Sequence, residues 1–127
     1  MSEGAGDVVY AEAIDEVVIP ALRAFAPQVV LISAGFDAFV GDPLAAMTVS
    51  AEGFAYMVSA IARAADELSA PVGMVLEGGY DLAGLEACLE ASTRALVGDV
   101  ARDPRGAPIS GRHRVDIKRA AAAREGA

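Results

Sequence analysis

The sequence predicts an α/β fold, a portion of an open parallel sheet layered with helices, and three observations carry that prediction. Two apolar runs, Val29–Ile32 and Val72–Leu76, each follow a proline and lead into glycine, as strands buried on both faces do. Around them lie three amphipathic stretches with apolar residues spaced by three and four. Strand, helix, strand with a connection of this length implies a right-handed parallel crossover that sets the two strands side by side.

Taken in order, Tyr10, Ile14, Val17, Val18, Leu22 and Phe25 mark a helix over Asp7–Phe25, which Pro20 is expected to kink or interrupt. The first strand leads into the loop SAGFDAFVGDPL, Ser33–Leu44. Ser50 is a good N-cap with Glu52 in the first turn, and Phe54, Met57, Val58, Ile61, Ala65 and Leu68 form the stripe of a second helix. A third helix is expected over Leu82–Val97, facing inward with Leu85, Leu89 and Leu96. From Gly98 the pattern dissolves, so residues 1–99 read as the folded segment. Residues 100–127 read as a mobile basic tail, with at most a short helix near Val115–Arg124.

Composition bounds the function. A hydrophobic fraction of 54% with 13 glycines and 22% charged residues suits a buried α/β interior, and 127 residues suit one domain. The net charge of −8 divides unevenly: residues 1–100 hold 15 acids against Arg23, Arg63 and Arg94, while residues 101–127 hold seven bases and three acids. An acidic body with no clustered Lys or Arg argues against nucleic acid as a partner. The single Cys88 excludes an internal disulfide and a multi-cysteine zinc site, which fits a reducing cytoplasm. The start MSEGAGDVVY lacks a basic and an apolar segment, and no apolar run approaches the roughly 18 residues of a membrane span, so neither a signal peptide nor a membrane contact is expected.

In an open parallel sheet, ligands bind at the carboxyl ends of the strands. Both unusual loops sit there. The first carries Asp37; the second, EGGY, carries Gly78 and Gly79, which let backbone approach a ligand, and the phenol of Tyr80. A carboxylate can bind zinc and a phenol O–H can donate to a developing oxyanion, so the pair suggests metal-assisted acyl hydrolysis. A loop aspartate more often caps a turn, so from the residues alone the functional signal is the weaker of the two readings. Asp42, just before Pro43, reads as such a cap, bonding loop amides.

The stretches PQVVLISAGFDAFVGDPLAAMTVSAEGFAYM and VLEGGYDLAGLEACLEASTRALVGD resemble the C-terminal part of the histone deacetylase superfamily, including bacterial deacetylase-like amidohydrolases and acetoin-utilisation proteins. The likeness runs from about Gly4 to Asp99. It implies the C-terminal portion of an arginase/deacetylase-like three-layer α/β/α fold, and a zinc-dependent hydrolase that removes acyl groups from acetyl-lysine or acetylated amines. By the resemblance Asp37 is a zinc-ligating aspartate, Tyr80 polarises the substrate carbonyl, Gly78 and Gly79 flank the acyl channel and Leu44 belongs to its wall. Phe39 stands where bacterial relatives commonly have histidine, which bears on the outer pocket.

The same resemblance exposes a deficit. The family's other two zinc ligands, an aspartate and a histidine, and its tandem-histidine acid/base motif lie upstream of the matched residues. The one histidine here, His113, falls in the tail and is expected to be solvated. Catalytic zinc takes three protein ligands plus water. The expectation is therefore a truncated segment, inactive without a missing N-terminal part or a complementing chain, with zinc weak or absent in this chain alone. Two strands with three helices should leave edges and apolar surface bare, giving a marginally stable or self-associating product.

Two other readings are open. A non-catalytic interaction module, or a gene remnant, predicts no zinc and only a stability role for Tyr80. A phosphate cradle at EGGYDL is disfavoured by Glu77 and Asp81 beside the glycines. Cys88 falls on the third helical stripe and reads as core.

Overall fold

The computed structural model of the chain describes residues 1–126. Helix α1 (Asp7–Ala13), a π-helical stretch (Ile14–Val18) and helix α2 (Ile19–Phe25) follow one another without a break in helical backbone. Pro20 thus interrupts the α-helical register, as expected, without ending the helix. It falls in the first turn of α2, and the helix widens to a five-residue register just before it, where the missing proline N–H and the bulk of its ring would otherwise break the four-residue ladder. The helix stops at Ala26, whose left-handed φ of 49° lets its amide reach the Leu22 carbonyl at 3.0 Å.

Strand β1 (Val30–Ala34), helix α3 (Ala51–Glu67), strand β2 (Val72–Leu76) and helix α4 (Leu82–Leu96) complete the expected alternation. The strands pair in parallel, Val30 opposite Val72 through Ala34 opposite Leu76. Ser50 caps α3, its hydroxyl accepting the Gly53 amide at 3.1 Å. One face of the sheet packs on α3 and α4: Ile32 and Met74 lie against Ala55, Val58 and Ala95. Beyond the end of β1, Phe36 meets Phe54 edge to face at 5.0 Å, with buried Val49 and Cys88 beside them. Cys88 is core, as its helical stripe predicts.

Among the described residues nothing covers the other sheet face. Alternation points Leu31, 71% exposed, and Val75, 54% exposed, away from α3 and α4. The chain thus shows the sheet and one helical layer of a three-layer arrangement.

The tail departs from expectation. Residues 111–125 form helix α5 (Gly111–Glu125), capped by Ser110, and it docks against α1 and the π-helical stretch. Ile117 is fully buried with Ala5 and Val9, Arg114 pairs with Glu12 at 2.6 Å, and Asp116 accepts from the amide and hydroxyl of Ser2. His113, expected to be solvated, is only 7% exposed, and its Nε2–H donates to the Glu3 carbonyl at 3.1 Å. The physical cause is long-range: Arg114 of α5 pairs with Glu12 and Glu16, and Ile117 is buried in an apolar cluster with Ala5 and Val9.

Candidate active site

The two strand-end loops meet, as parallel pairing requires. The Phe36 amide donates to the Gly78 carbonyl at 2.8 Å and the Glu77 amide to the Ala34 carbonyl at 3.0 Å, so backbone bonding continues two residues beyond each strand. A Cβ added at Gly78 would lie 3.7 Å from the Asp37 carboxyl carbon and 3.6 Å from the Gly35 Cα. Two glycines thus pass each other beside Asp37, leaving room that side chains would fill.

The result is an open cleft of about 520 Å³ lined by Ser33, Gly35, Asp37, Glu77, Gly78 and Tyr80. Asp37 and Tyr80 therefore line one cavity at the carboxyl ends of the strands. Both are exposed, Tyr80 at 61%. Gly79 serves the loop rather than the cleft lining. Its φ of +126° favours glycine, and a Cβ there would come within 3.1 Å of the Phe36 Cβ and the Leu85 side chain. Leu44, 72% exposed, is not among the residues lining this cleft.

Asp42 does more than close its own turn. One carboxylate oxygen accepts the Leu44 and Ala45 amides at 2.8 and 3.3 Å; the other accepts the Tyr80 amide at 2.9 Å. Burial works against its ionisation, and the amide donors outweigh it, holding the carboxyl below its usual range. Phe39 lies inward, its ring against Gly84 at the start of α4 and beside Phe36 and Phe54, away from the cleft. In this chain the Phe39 ring has a packing role.

Sequence reasoning missed Ser33, Gly35 and Glu77 as cleft residues. The two-residue alternation from Leu31 through Ser33, Gly35 and Asp37 was the available signal. Tyr10 was read only as a stripe residue, yet burial first and then the nearby Asp37 carboxylate push its phenol above the ordinary value. Nothing in its helical spacing distinguishes such a residue from core.

Among the described residues no group of three or more His, Cys, Asp or Glu gathers to hold a metal ion. Asp37 offers one anionic oxygen donor of the kind zinc accepts, without the two further protein ligands of a catalytic site. The described residues do not by themselves make a zinc centre. None of the helices described is long and apolar enough to cross a membrane.

A parallel α/β layer with a carboxylate and a phenol at its strand ends is the frame of an open α/β fold that carries its site in the strand-end loops. The histone deacetylase domain model matches residues 1–96, and the chain belongs to that family. It is 38% identical over 96 residues to histone deacetylase 15 of Arabidopsis thaliana, covering 76% of this chain and 17% of that protein. With the histone deacetylase-like amidohydrolase of Pseudomonas aeruginosa it shares 36% identity over 104 residues, covering 80% of this chain and 27% of that one. The crystal structure of the HDA15 HD domain superposes with a TM-score of 0.81 at 30% identity, over 98% of this chain and 33% of the solved one. The chain therefore spans a third or less of the length of these relatives.

Proposed function

We propose that this chain supplies one flank of a zinc-dependent deacetylase site that hydrolyses acetyl-lysine or acetylated-amine amides, completed by an N-terminal deacetylase segment or a complementing chain. The observation that carries the reading is the shared cleft: Asp37 and Tyr80 line one cavity, with Gly78 beside the carboxylate. Asp37 is assigned as one metal ligand. Zinc, when held, supplies Lewis-acid chemistry for amide hydrolysis.

The chain's own residues do the rest of what is assigned to them. The Tyr80 O–H donates to the substrate carbonyl oxygen as negative charge develops there. Gly78 keeps the channel free of a side chain for the acyl group, Gly79 shapes the loop that carries Gly78 and Tyr80, and Leu44 contributes apolar wall where the completing segment closes over it. Glu77 adds negative charge to the cleft rim, which suits a substrate carried on a cationic chain. The bare sheet face with Leu31 and Val75 is the surface the completing segment covers. The reduced, buried Cys88 is consistent with work in the cytoplasm.

The test is complementation. The chain is mixed with the upstream two-thirds of a histone deacetylase domain and assayed on an acetylated lysine peptide. Activity should appear only with both pieces. It should fall by roughly 10²–10³ with Tyr80→Phe, the loss typical of one oxyanion donor, and disappear with Asp37→Ala. A stable, zinc-loaded complex without activity would overturn the reading.

A further inference from the structure

We propose that Asp42 is the positioning residue that fixes the Tyr80 loop against the Asp37 loop, setting where the Tyr80 phenol stands relative to the Asp37 carboxylate. The role of Tyr80 rests on the deacetylase reading above. The clamp itself rests on geometry.

Asp42 is 8% exposed, and its two oxygens divide their work. The bonds to Leu44 and Ala45 are local and suffice to close a turn before and through Pro43. The bond to the Tyr80 amide spans 38 residues and contributes nothing to that turn. It ties the loop after β1 to the loop after β2 at the residue that carries the phenol. Because the Tyr80 side chain is 61% exposed, few neighbours pack against it, and its place depends on the backbone that bears it.

A second, independent set of contacts meets along the same seam. A Cβ at Gly41 would lie 2.6 Å from an Asp81 carboxylate oxygen, and one at Gly84 would lie 2.3 Å from two Phe39 ring carbons. The segment Phe39–Asp42 is thus pressed onto Tyr80–Gly84 along its length. Only a side chain with two acceptor oxygens can accept from both loops at once. Asparagine keeps one acceptor for Leu44 and Ala45 but turns an N–H₂ toward the Tyr80 N–H.

The test uses the full chain, isotope-labelled, in solution by NMR. In the wild type the Tyr80 amide should exchange with solvent about tenfold or more slowly than an unstructured amide, and it should show a through-hydrogen-bond coupling to the Asp42 carboxyl carbon. In Asp42→Asn the Tyr80 amide should lose its protection and the Tyr80 ring signals should move toward unstructured values. The Glu77 amide, bonded to the Ala34 carbonyl, should keep its protection and report that the strand ends remain paired. Wild-type exchange at the unstructured rate without the coupling overturns the proposal. So does an Asn variant whose Tyr80 amide and ring are unchanged. Should the variant unfold, the wild-type coupling alone decides: its presence supports the clamp and its absence overturns it. Neither readout requires activity, so a failed complementation assay with these signals in place rejects the deacetylase reading and leaves the clamp standing.

Discussion

The Asp7 carboxylate accepts two hydrogen bonds from Ser50, one from its amide and one from its hydroxyl, both at 2.7 Å. A single side chain thereby joins the first turn of α1 to the N-terminus of α3, where a negative charge also suits the two helix dipoles. Gly53 is the complement. A Cβ there would lie 2.2 Å from the Asp7 carboxylate, so the close approach requires glycine. Asp7→Ala removes both bonds and leaves the Ser50 amide without its partner. The expected cost is about 1–3 kcal/mol, read as a lower denaturant midpoint with unchanged slope. An unchanged midpoint would show that water replaces the carboxylate.

Gly84 tests the seam between the loops from the other side. Alanine is ordinarily the better helix residue by about 1 kcal/mol, but its methyl must displace the half-buried Phe39 ring. Overpacking of this kind costs about 1–3 kcal/mol, so Gly84→Ala should be net destabilising. Combined with Phe39→Ala, the clash with the ring disappears, leaving only the movable Asp81 carboxylate at 2.9 Å. The double variant should then be less destabilised than the two single changes summed, measured as a double-mutant cycle.

Stability should fall at both ends of the pH scale, because two sets of acidic groups are shifted in opposite directions. Arg105, bonding through its side chain and its amide, holds Asp103 at about 2. The Ser2 hydroxyl and amide hold Asp116 below its usual range, and three amides do the same for Asp42 against the opposing effect of burial. A lowered folded value means the stabilisation is present above the usual value of about 4 and is lost as pH falls through the folded one. Burial, with the bond to Asp15 adding to it, pushes the Tyr56 phenol up to about 12, and burial pushes the Cys88 thiol up to about 11. A raised value means stabilisation present below the usual value, about 10 for tyrosine, and lost as pH climbs toward the folded one. The thermal midpoint should therefore drop from pH 4 toward 2 and again from pH 9 toward 12. A midpoint that holds steady down to pH 2.5 would contradict the acid side.

Much of the frame was legible because its signals are local. Val72–Leu76 is the predicted strand, the first strand shifts only to Val30–Ala34, and Ser50 caps the helix it was expected to cap. The meeting of Asp37 and Tyr80 followed from strand order alone. What escaped depends on contacts distant in sequence. Helix α5 carries little apolar periodicity beyond Ile117, and its seat is set by Glu12 and Glu3, which no local pattern connects to Arg114 and His113. Asp42 looked like a turn cap because its two nearest amides are local; the third donor lies in the other loop. Phe39 was linked to an outer pocket only through the resemblance, as the position where bacterial relatives commonly have histidine; its place against Gly84, 45 residues on, has no local sequence signal.

The central claim is that this chain carries one flank of a zinc site and not a whole one. Zinc per chain, measured by metal analysis of the full chain after gel filtration, tests it most directly. The expected result is far less than one zinc per chain, since Asp37 lacks partner ligands among the described residues. About one zinc per chain, retained by a monomer and lost in Asp37→Ala, would contradict the account and show that the chain completes the site itself.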